Sequence, residues 1–339
     1  MATPGNALKP AAETAPGPER PSHAVGESEV RVKGKALTAP TAEIDGRTVF
    51  TTGKWLRIAS VCDEELVEGD TVSDPESFIS RLKVSGLRAD LFTFAQRLPD
   101  TAPKHSYHTE WENAAAIPIT TYSEWWKERT EYSIRKGVNR AKKLGVVVKP
   151  VEFDDALLED ICSIYNESPV RQGKAFWHYR KDQLTVKRAL ATYLERSVFL
   201  GAYSQDELIG FMKITHVGPA VVITQILSAK RHFDKRPNNA LIAKAIELCE
   251  LWGRSYFVYG SFVYYDADST LTEFKRRNGF EAVPLPRYYV PLTLKGRIAL
   301  RLRLHRGLAG NIPIPLFRAL SKLRKAWYAR RLKVLKEAS

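Results

Sequence analysis

Residues 221–252, VVITQILSAKRHFDKRPNNALIAKAIELCELW, restrict the fold of this chain more than any other stretch. The β-branched run Val221, Val222, Ile223 and Thr224 reads as a buried strand. Leu241, Ala245, Leu248 and Trp252 then recur at helical spacing, with Ile242, Ile246 and Cys249 beside them, which gives a helix with one wide apolar face. Pro237 pushes Arg236 out of helical geometry, so the helix is expected to start at residues 237–239 with Asn as its N-cap. The connection between strand and helix carries Lys230, Arg231, Lys235 and Arg236. A strand, a basic turn and the unpaired amides of a helix N-terminus make an anion site, because N–H groups and helix dipole both favour a phosphate there. An ordinary turn with solvated charges fits the same residues, and on their own they leave both readings open.

A second basic segment precedes it. Residues 121–144 read as one helix, with Thr121 or Ser123 as cap and Gly145 as stop, followed by Val146, Val147 and Val148. Five cations, Arg135, Lys136, Arg140, Lys142 and Lys143, fall within its nine residues 135–143. Arg135, Val138, Ala141, Lys143, Gly145, Val146 and Val148 match an R-x-x-I/V-x-x-A-x-K-x-G-V-x-V pattern, and Pro237-Asn238-Asn239 matches a PNN turn. Both resemble the FemAB-like branch of the GNAT-type N-acyltransferase superfamily. The commoner Q/R-x-x-G-x-G/A signature of that superfamily is altered here, since residues 235–240 keep the basic start and the small end but have Asn where Gly is expected.

The resemblance covers roughly residues 120–292 and implies an α/β, GNAT-type fold with a mixed, partly antiparallel sheet. Four regions follow: a disordered tail at 1–45, a reduced acyltransferase-like N-terminal half at 46–121, the acyltransferase domain at 122–292 and a basic amphipathic tail at 293–339. Strands are expected at 48–51, 55–61, 91–95 and 115–119 with a helix at 75–83. The order then runs strand 147–153, helices 156–166 and 182–194, the hairpin 198–203 and 208–216, strand 256–260, helix 269–278 and strand 288–292. The tail at 1–45 is rich in Pro, Ala, Gly, Glu and Thr and has no periodic apolar pattern.

By the same resemblance the donor would be acyl-CoA, or aminoacyl-tRNA as in part of the branch. It would be held by Gln225, Ile226, Lys235, Arg236, Asn238, Asn239 and Ala240, with Arg135 and Phe274 as substrate-binding residues. Acyl-CoA is preferred, because tRNA users of the family often carry a long helical arm that this sequence lacks. Lys275 matches the FK pair whose lysine stabilises the tetrahedral intermediate, a task suited to a fixed cation. An amine nucleophile must lose a proton, which nominates Asp266. Asp268 suits the N-cap of the following helix. Tyr265 or its neighbour Tyr264 would protonate a leaving thiolate. His105, Tyr107, His108, Glu110 and Trp111 form a polar aromatic group that could line an acceptor pocket or pack on a sheet edge.

Composition excludes several classes. Three separated cysteines and seven histidines show no ligand spacing, so neither a metal nor a disulfide is expected. No apolar run reaches the roughly 18 residues of a membrane span, and no signal peptide is visible, so the chain is expected to be cytoplasmic. Of the net charge of +14, residues 292–339 carry all but two units, with thirteen cations against Glu337. Within 314–336, Leu316, Leu320, Leu323 and Trp327 recur at helical spacing opposite Arg318, Lys322, Lys325 and Arg330. Such a helix suits the headgroup layer of an anionic membrane; it could equally dock its apolar face on the domain, and tRNA is a further anionic partner. The function expected is transfer of an acyl or aminoacyl group to an amine, on a cell-envelope precursor or amino sugar. The contrasting class is a non-catalytic member that binds RNA or membrane through its tail.

Overall fold

The computed structural model describes residues 25–32, 35–171, 174–263 and 269–307. Its first half opens with four antiparallel strands, β1 (Gly26–Val32), β2 (Lys35–Ile44), β3 (Arg47–Thr52) and β4 (Ile58–Val61). Helix α1 (Pro75–Val84), capped by the Asp74 carboxylate on the Ser77 amide, crosses to β5 (Leu91–Ala95), which pairs parallel to β4. Strand β6 (His108–Pro118) follows.

The second half begins with a short α2 (Tyr122–Glu124), a π-helical turn (Trp125–Arg129) and α3 (Tyr132–Lys143). Next come β7 (Val147–Val151), α4 (Asp155–Asn166), a small hairpin of β8 (Val170–Arg171) and β9 (Lys174–Ala175), and α5 (Gln183–Leu190). An antiparallel meander of β10 (Ser197–Ser204), β11 (Glu207–Val217) and β12 (Ala220–Ser228) leads through α6 (Pro237–Leu251) to β13 (Tyr256–Ser261), parallel to β12. Helix α7 (Thr270–Arg277), β14 (Glu281–Pro291) and α8 (Leu294–Arg301) close the described chain.

The two halves repeat one plan: four antiparallel strands (β1 to β4, and β7 with β10 to β12), a helical crossover and a parallel partner. They also exchange their last strands. The sheet order is β1-β2-β3-β4-β5-β14-β6-β13-β12-β11-β10-β7, so β6 of the first half lies against β13, and β14 of the second half lies between β5 and β6. One continuous sheet therefore crosses the expected boundary at residue 121.

Alternation along the strands builds cores on both faces of the second half. Leu200 of β10 and Met212 of β11 pack with Leu241, Ala245 and Ile246 of α6. Phe199 and Phe211 point the other way, onto Leu157 and Ile161 of α4 and Val186 of α5. The first half packs Phe78 and Leu82 of α1 on Phe92, Phe94 and Tyr288.

Residues 26–32 and 35–44 differ from the disordered tail expected at 1–45, because they form β1 and β2. Ala39, Thr41, Ala42 and Ile44 are buried there, and the ladder to β3 supplies backbone hydrogen bonds that local composition does not reveal. Residues 1–24 lie outside the described ones. The single helix expected at 121–144 is broken: Thr130 is extended (φ −91°, ψ 140°), and the Arg135 guanidinium donates to the carbonyls of Trp126 (3.2 Å) and Thr130. Helix α6 starts at Pro237 with Arg236, in the left-handed region (φ 58°), as its N-cap, and no Asn side chain caps it. The start of the basic tail belongs to the fold. Gly296 of α8 lies so close to β5 that a Cβ there would stand 1.9 Å from the Asp90 carbonyl oxygen. The amphipathic stretch at 314–336 lies outside the described residues. No helix among the described residues is long and apolar enough to cross a membrane.

Candidate active-site cleft

The parallel pairing of β12 with β13 holds for three residue pairs, Ala220–Tyr256, Val221–Phe257 and Val222–Val258. Beyond Val222 both strands continue unpaired with each other, β12 to Ser228 and β13 to Ser261, so the sheet opens there. A register shift places Ile223 opposite Ile214 and Gln225 opposite Lys213, which leaves Thr224 as an extra, exposed residue. Bulges of this kind bend a strand away from its neighbour and re-aim side chains. Gln225 and Ile226 lie on the β12 wall of the opening, and Tyr259 and Ser261 on the β13 wall.

Lys275 comes to the β13 wall from α7. Its side chain is fully buried although Arg276 and Arg277 beside it are exposed and paired with Glu131 and Glu273. Helical spacing explains this: Thr272 and Lys275 share the inner face of α7, while Arg276 turns outward. The Lys275 Nζ donates to the Ser261 carbonyl at 2.6 Å and lies 4.4 Å from the centre of the Tyr259 ring. Burial pulls its ammonium down from 10.5 to about 8. The helix is held at its far end by Trp125, whose indole donates to the Asn278 carbonyl at 2.9 Å, and at its start by the Ser269 hydroxyl on the Thr272 amide. Ser269 therefore takes the capping role expected of Asp268. Phe274 packs on the main core at the side of α7.

The loop after β13 leaves from Asn113 of β6, which accepts the Phe262 amide on its carbonyl (2.8 Å) and the Val263 amide on its side chain (2.7 Å). Tyr264, Tyr265, Asp266 and Asp268 lie outside the described residues.

The basic connection from β12 to α6 is largely occupied by its own neighbours. Glu167, at the end of α4, accepts the amides of Lys230 and Arg231, the latter at 2.8 Å. Arg231 and His232 bind Glu207, Lys235 donates to the Ser204 hydroxyl at 2.9 Å, and Arg236 is exposed. At the start of α6, Pro237 has no N–H, and the amides of Asn239 and Ala240 return to the Arg236 carbonyl. Asn239 lies against α3, where a Cβ on Gly137 would stand 3.3 Å from its side-chain amide. The residues that match the FemAB-like helix pattern serve this packing: Ala141 is buried, Val138, Val146 and Val148 join the main core, and Gly145 takes a positive φ of 73°. Arg135 binds main-chain carbonyls of the break before α3, as described above.

Three residues at work here gave no local signal in the sequence. Glu167 is one. His178 is another: it is buried, its ring lies 3.7 Å from that of Trp177, and its Nε2 is 3.4 Å from the Gln225 amide nitrogen on the cleft wall. The third is Glu64, which separates the two halves in character. Where β5 runs past the end of β4, the Glu64 carboxylate accepts the Ala95 amide and pairs with Arg287 of β14 at 2.6 Å, which also binds Glu112. The place that corresponds to the cleft is thus filled by an ion-pair network in the first half.

His108 and His305 meet at Glu110, with one possible ligand atom of each residue within 4.8 Å of the others. His105 and Tyr107 instead pack their rings against Phe94 and Tyr288.

No family model and no curated protein matches the sequence. Solved structures do match. L-PGS from Bacillus licheniformis superimposes with a TM-score of 0.52 at 15% identity, over 78% of this chain and 88% of that one. FemX gives 0.52 at 10% identity, over 82% and 90%. The chain has the FemAB-like, GNAT-type fold. The C-terminal domain of a putative lysylphosphatidylglycerol synthetase from Agrobacterium fabrum also superimposes, with a TM-score of 0.51 at 12% identity, over 80% of this chain and 89% of that one. At such identities the FemAB-like likeness is one of fold, and the chemistry must be argued from the residues of the cleft.

Proposed function

We propose that this protein is a FemAB-like acyltransferase that moves an acyl or aminoacyl group to an amine in the cleft between β12 and β13. The observation that carries this reading is the buried Lys275, whose ammonium is fixed on the Ser261 carbonyl where β13 leaves the sheet. The amine nitrogen attacks the donor carbonyl, the new C–N bond forms, and the oxyanion of the tetrahedral intermediate lies beside Lys275. Collapse breaks the bond to the thiol or hydroxyl leaving group, which takes a proton, while the amine gives one up. Asp266 as base and Tyr265 as acid remain the assignments for these proton transfers. A fixed cation in a water-poor site lowers the barrier more than a solvated one, because it needs no reorganisation.

Between the two donors, the occupied turn favours aminoacyl-tRNA. The amides of Lys230 and Arg231 are taken by Glu167 and those of Asn239 and Ala240 by the Arg236 carbonyl, and Glu167 adds a negative charge where a pyrophosphate would lie. The exposed Lys136, Arg140, Lys142 and Lys143 on α3, beside α6, and the basic tail offer an extended polyanion the contacts that a small nucleotide would not use. This reverses the preference drawn from the missing helical arm.

The deciding experiment measures transfer from labelled aminoacyl-tRNA and from acyl-CoA to a panel of amines, with Lys275→Met as control. Transfer that falls about 10²-fold or more in Lys275→Met, with the fold kept, is expected for a lost oxyanion partner. Nearly normal transfer in that variant would refute the assignment of Lys275.

A further inference from the structure

His108 and Glu110 are two residues apart on β6, so their side chains leave the same face of the strand. His305 reaches that face from a 3-10 turn (Leu304–Arg306) that follows α8. Arg303, just before it, adopts a left-handed backbone (φ 56°), which is costly for a residue with a Cβ and turns the chain back towards the sheet. The ring of Tyr289 on the neighbouring strand packs on His305 at 4.6 Å between centroids. One ligand atom from each of His108, Glu110 and His305 lies within 4.8 Å of the others. The Glu110 Oε1 is 2.7 Å from the His305 Nε2 and 3.7 Å from the His108 Nε2. Ligand atoms about a tetrahedral zinc ion, with bonds of about 2.0–2.1 Å, are roughly 3.4 Å apart, so small side-chain movements suffice to close the set.

Two further observations bear on what the group does. The His305 side chain is completely buried, and its Nδ1 has no hydrogen-bond partner among the described residues. Its other ring nitrogen, Nε2, faces Glu110 and is the one that would take an ion, and burial of the ring holds it there. His108 is about half exposed, which leaves an entry path from solvent. Arg306 competes for the same carboxylate, with its Nε 2.9 Å from the Glu110 Oε1.

We propose that His108, Glu110 and His305 bind one divalent transition-metal ion of the zinc class, and that this ion pins the chain after α8 to the N-terminal end of β6. Two imidazoles and one carboxylate are borderline donors that suit zinc or cobalt, whereas calcium and magnesium prefer oxygen alone. Arg306 would have to swing from Glu110 as the ion enters. The residues after Arg306 carry eight cations against Glu337, half of the net charge of +14, so the ion would fix where that basic segment departs.

The test uses the full chain after treatment with a chelator. Titration with Co²⁺ should give the visible d–d bands of a low-coordinate site at one equivalent, and Zn²⁺ should displace it. His108→Ala should abolish the signal, as should His305→Ala. His108 is the decisive variant, since an exposed residue can be removed without loss of the fold, which circular dichroism verifies. Limited proteolysis after residue 301 should slow when Zn²⁺ is added to the wild type and stay unchanged in His108→Ala. Absence of stoichiometric Co²⁺ binding would overturn the proposal, and so would binding that persists undiminished in both variants. Binding at one equivalent without any change in proteolysis would overturn the pinning role.

Discussion

Trp125 and Asn278, 153 positions apart, are joined by a 2.9 Å hydrogen bond from the indole N–H to the main-chain carbonyl, and both side chains are buried. The bond fastens the π-helical turn at the entry to the second half to the end of α7, one turn beyond Lys275. The position of the proposed oxyanion partner thus depends on a tryptophan far from it in sequence. Trp125→Phe keeps most of the apolar volume and leaves the Asn278 carbonyl unpaired. We expect it to cost about 1–3 kcal/mol in urea unfolding. Turnover should fall more than donor binding does, since the variant disturbs the placement of Lys275 and not the cleft walls.

The depressed ammonium of Lys275 makes a pH prediction with a definite sign. The cation is present below about 8 and is lost above it, so transfer should decline on an alkaline limb near that pH. In Lys275→Met the residual activity should lack this limb. Stability moves the other way. Between about 8 and the ordinary value of 10.5, the unfolded chain binds the proton more readily than the folded one, so stability contributed by this site rises with pH across that window. Chemical denaturation at pH 7.5 and pH 10, compared between wild type and Lys275→Met, reads this difference.

Glu167 offers a test of the donor. Glu167→Gln removes a negative charge from the amides of Lys230 and Arg231 and weakens its pairs with Arg171 and Arg231. A loss of about 1–3 kcal/mol is expected from the charge-assisted hydrogen bonds. If aminoacyl-tRNA is the donor, its transfer rate should change less than threefold, about 0.7 kcal/mol by the transition-state relation. A gain of acyl-CoA binding in this variant, seen as a ligand-dependent rise in melting temperature, would instead restore the phosphate reading of the turn.

Gly137 controls the approach of α3 to α6. A side chain there meets the Asn239 amide at 3.3 Å, a contact that Ala can absorb by a small shift and Leu cannot. Gly137→Leu should cost about 1–3 kcal/mol by overpacking. Its effect on transfer should exceed that of Gly137→Ala, because the displaced residue belongs to the first turn of α6.

Much of the second half is legible in the sequence because its elements are marked locally. The β-branched run of β12, the period of α6 and the turn at Gln205 and Asp206, both at positive φ, need no distant partner. Other features depend on residues that meet only in the fold. Composition hides β2, since its inward positions are filled by small or polar residues, such as Ala39, Thr41 and Ala42. Lys275 sits in a run of three cations, and only the face of α7 that packs on β13 tells it from Arg276 and Arg277. The basic turn is legible as a cluster of charge, but the carboxylates that occupy it, Glu167 and Glu207, come from other elements. His305 and Glu110 are 195 positions apart, so no spacing rule could join them.

The placement of β14 governs how the molecule can be made or divided. Until residues 281–291 are available, β5 and β6 each present an open edge in the middle of what will become one sheet. A chain that ends before Glu281 would lack the strand that joins its halves, and neither half would be complete by itself. Cutting the gene at residue 121 should accordingly give two insoluble fragments, whereas their joint expression should recover soluble protein. During synthesis the nascent chain must shield two unpaired strand edges until residues 281–291 emerge, which makes assembly slow and exposed to aggregation.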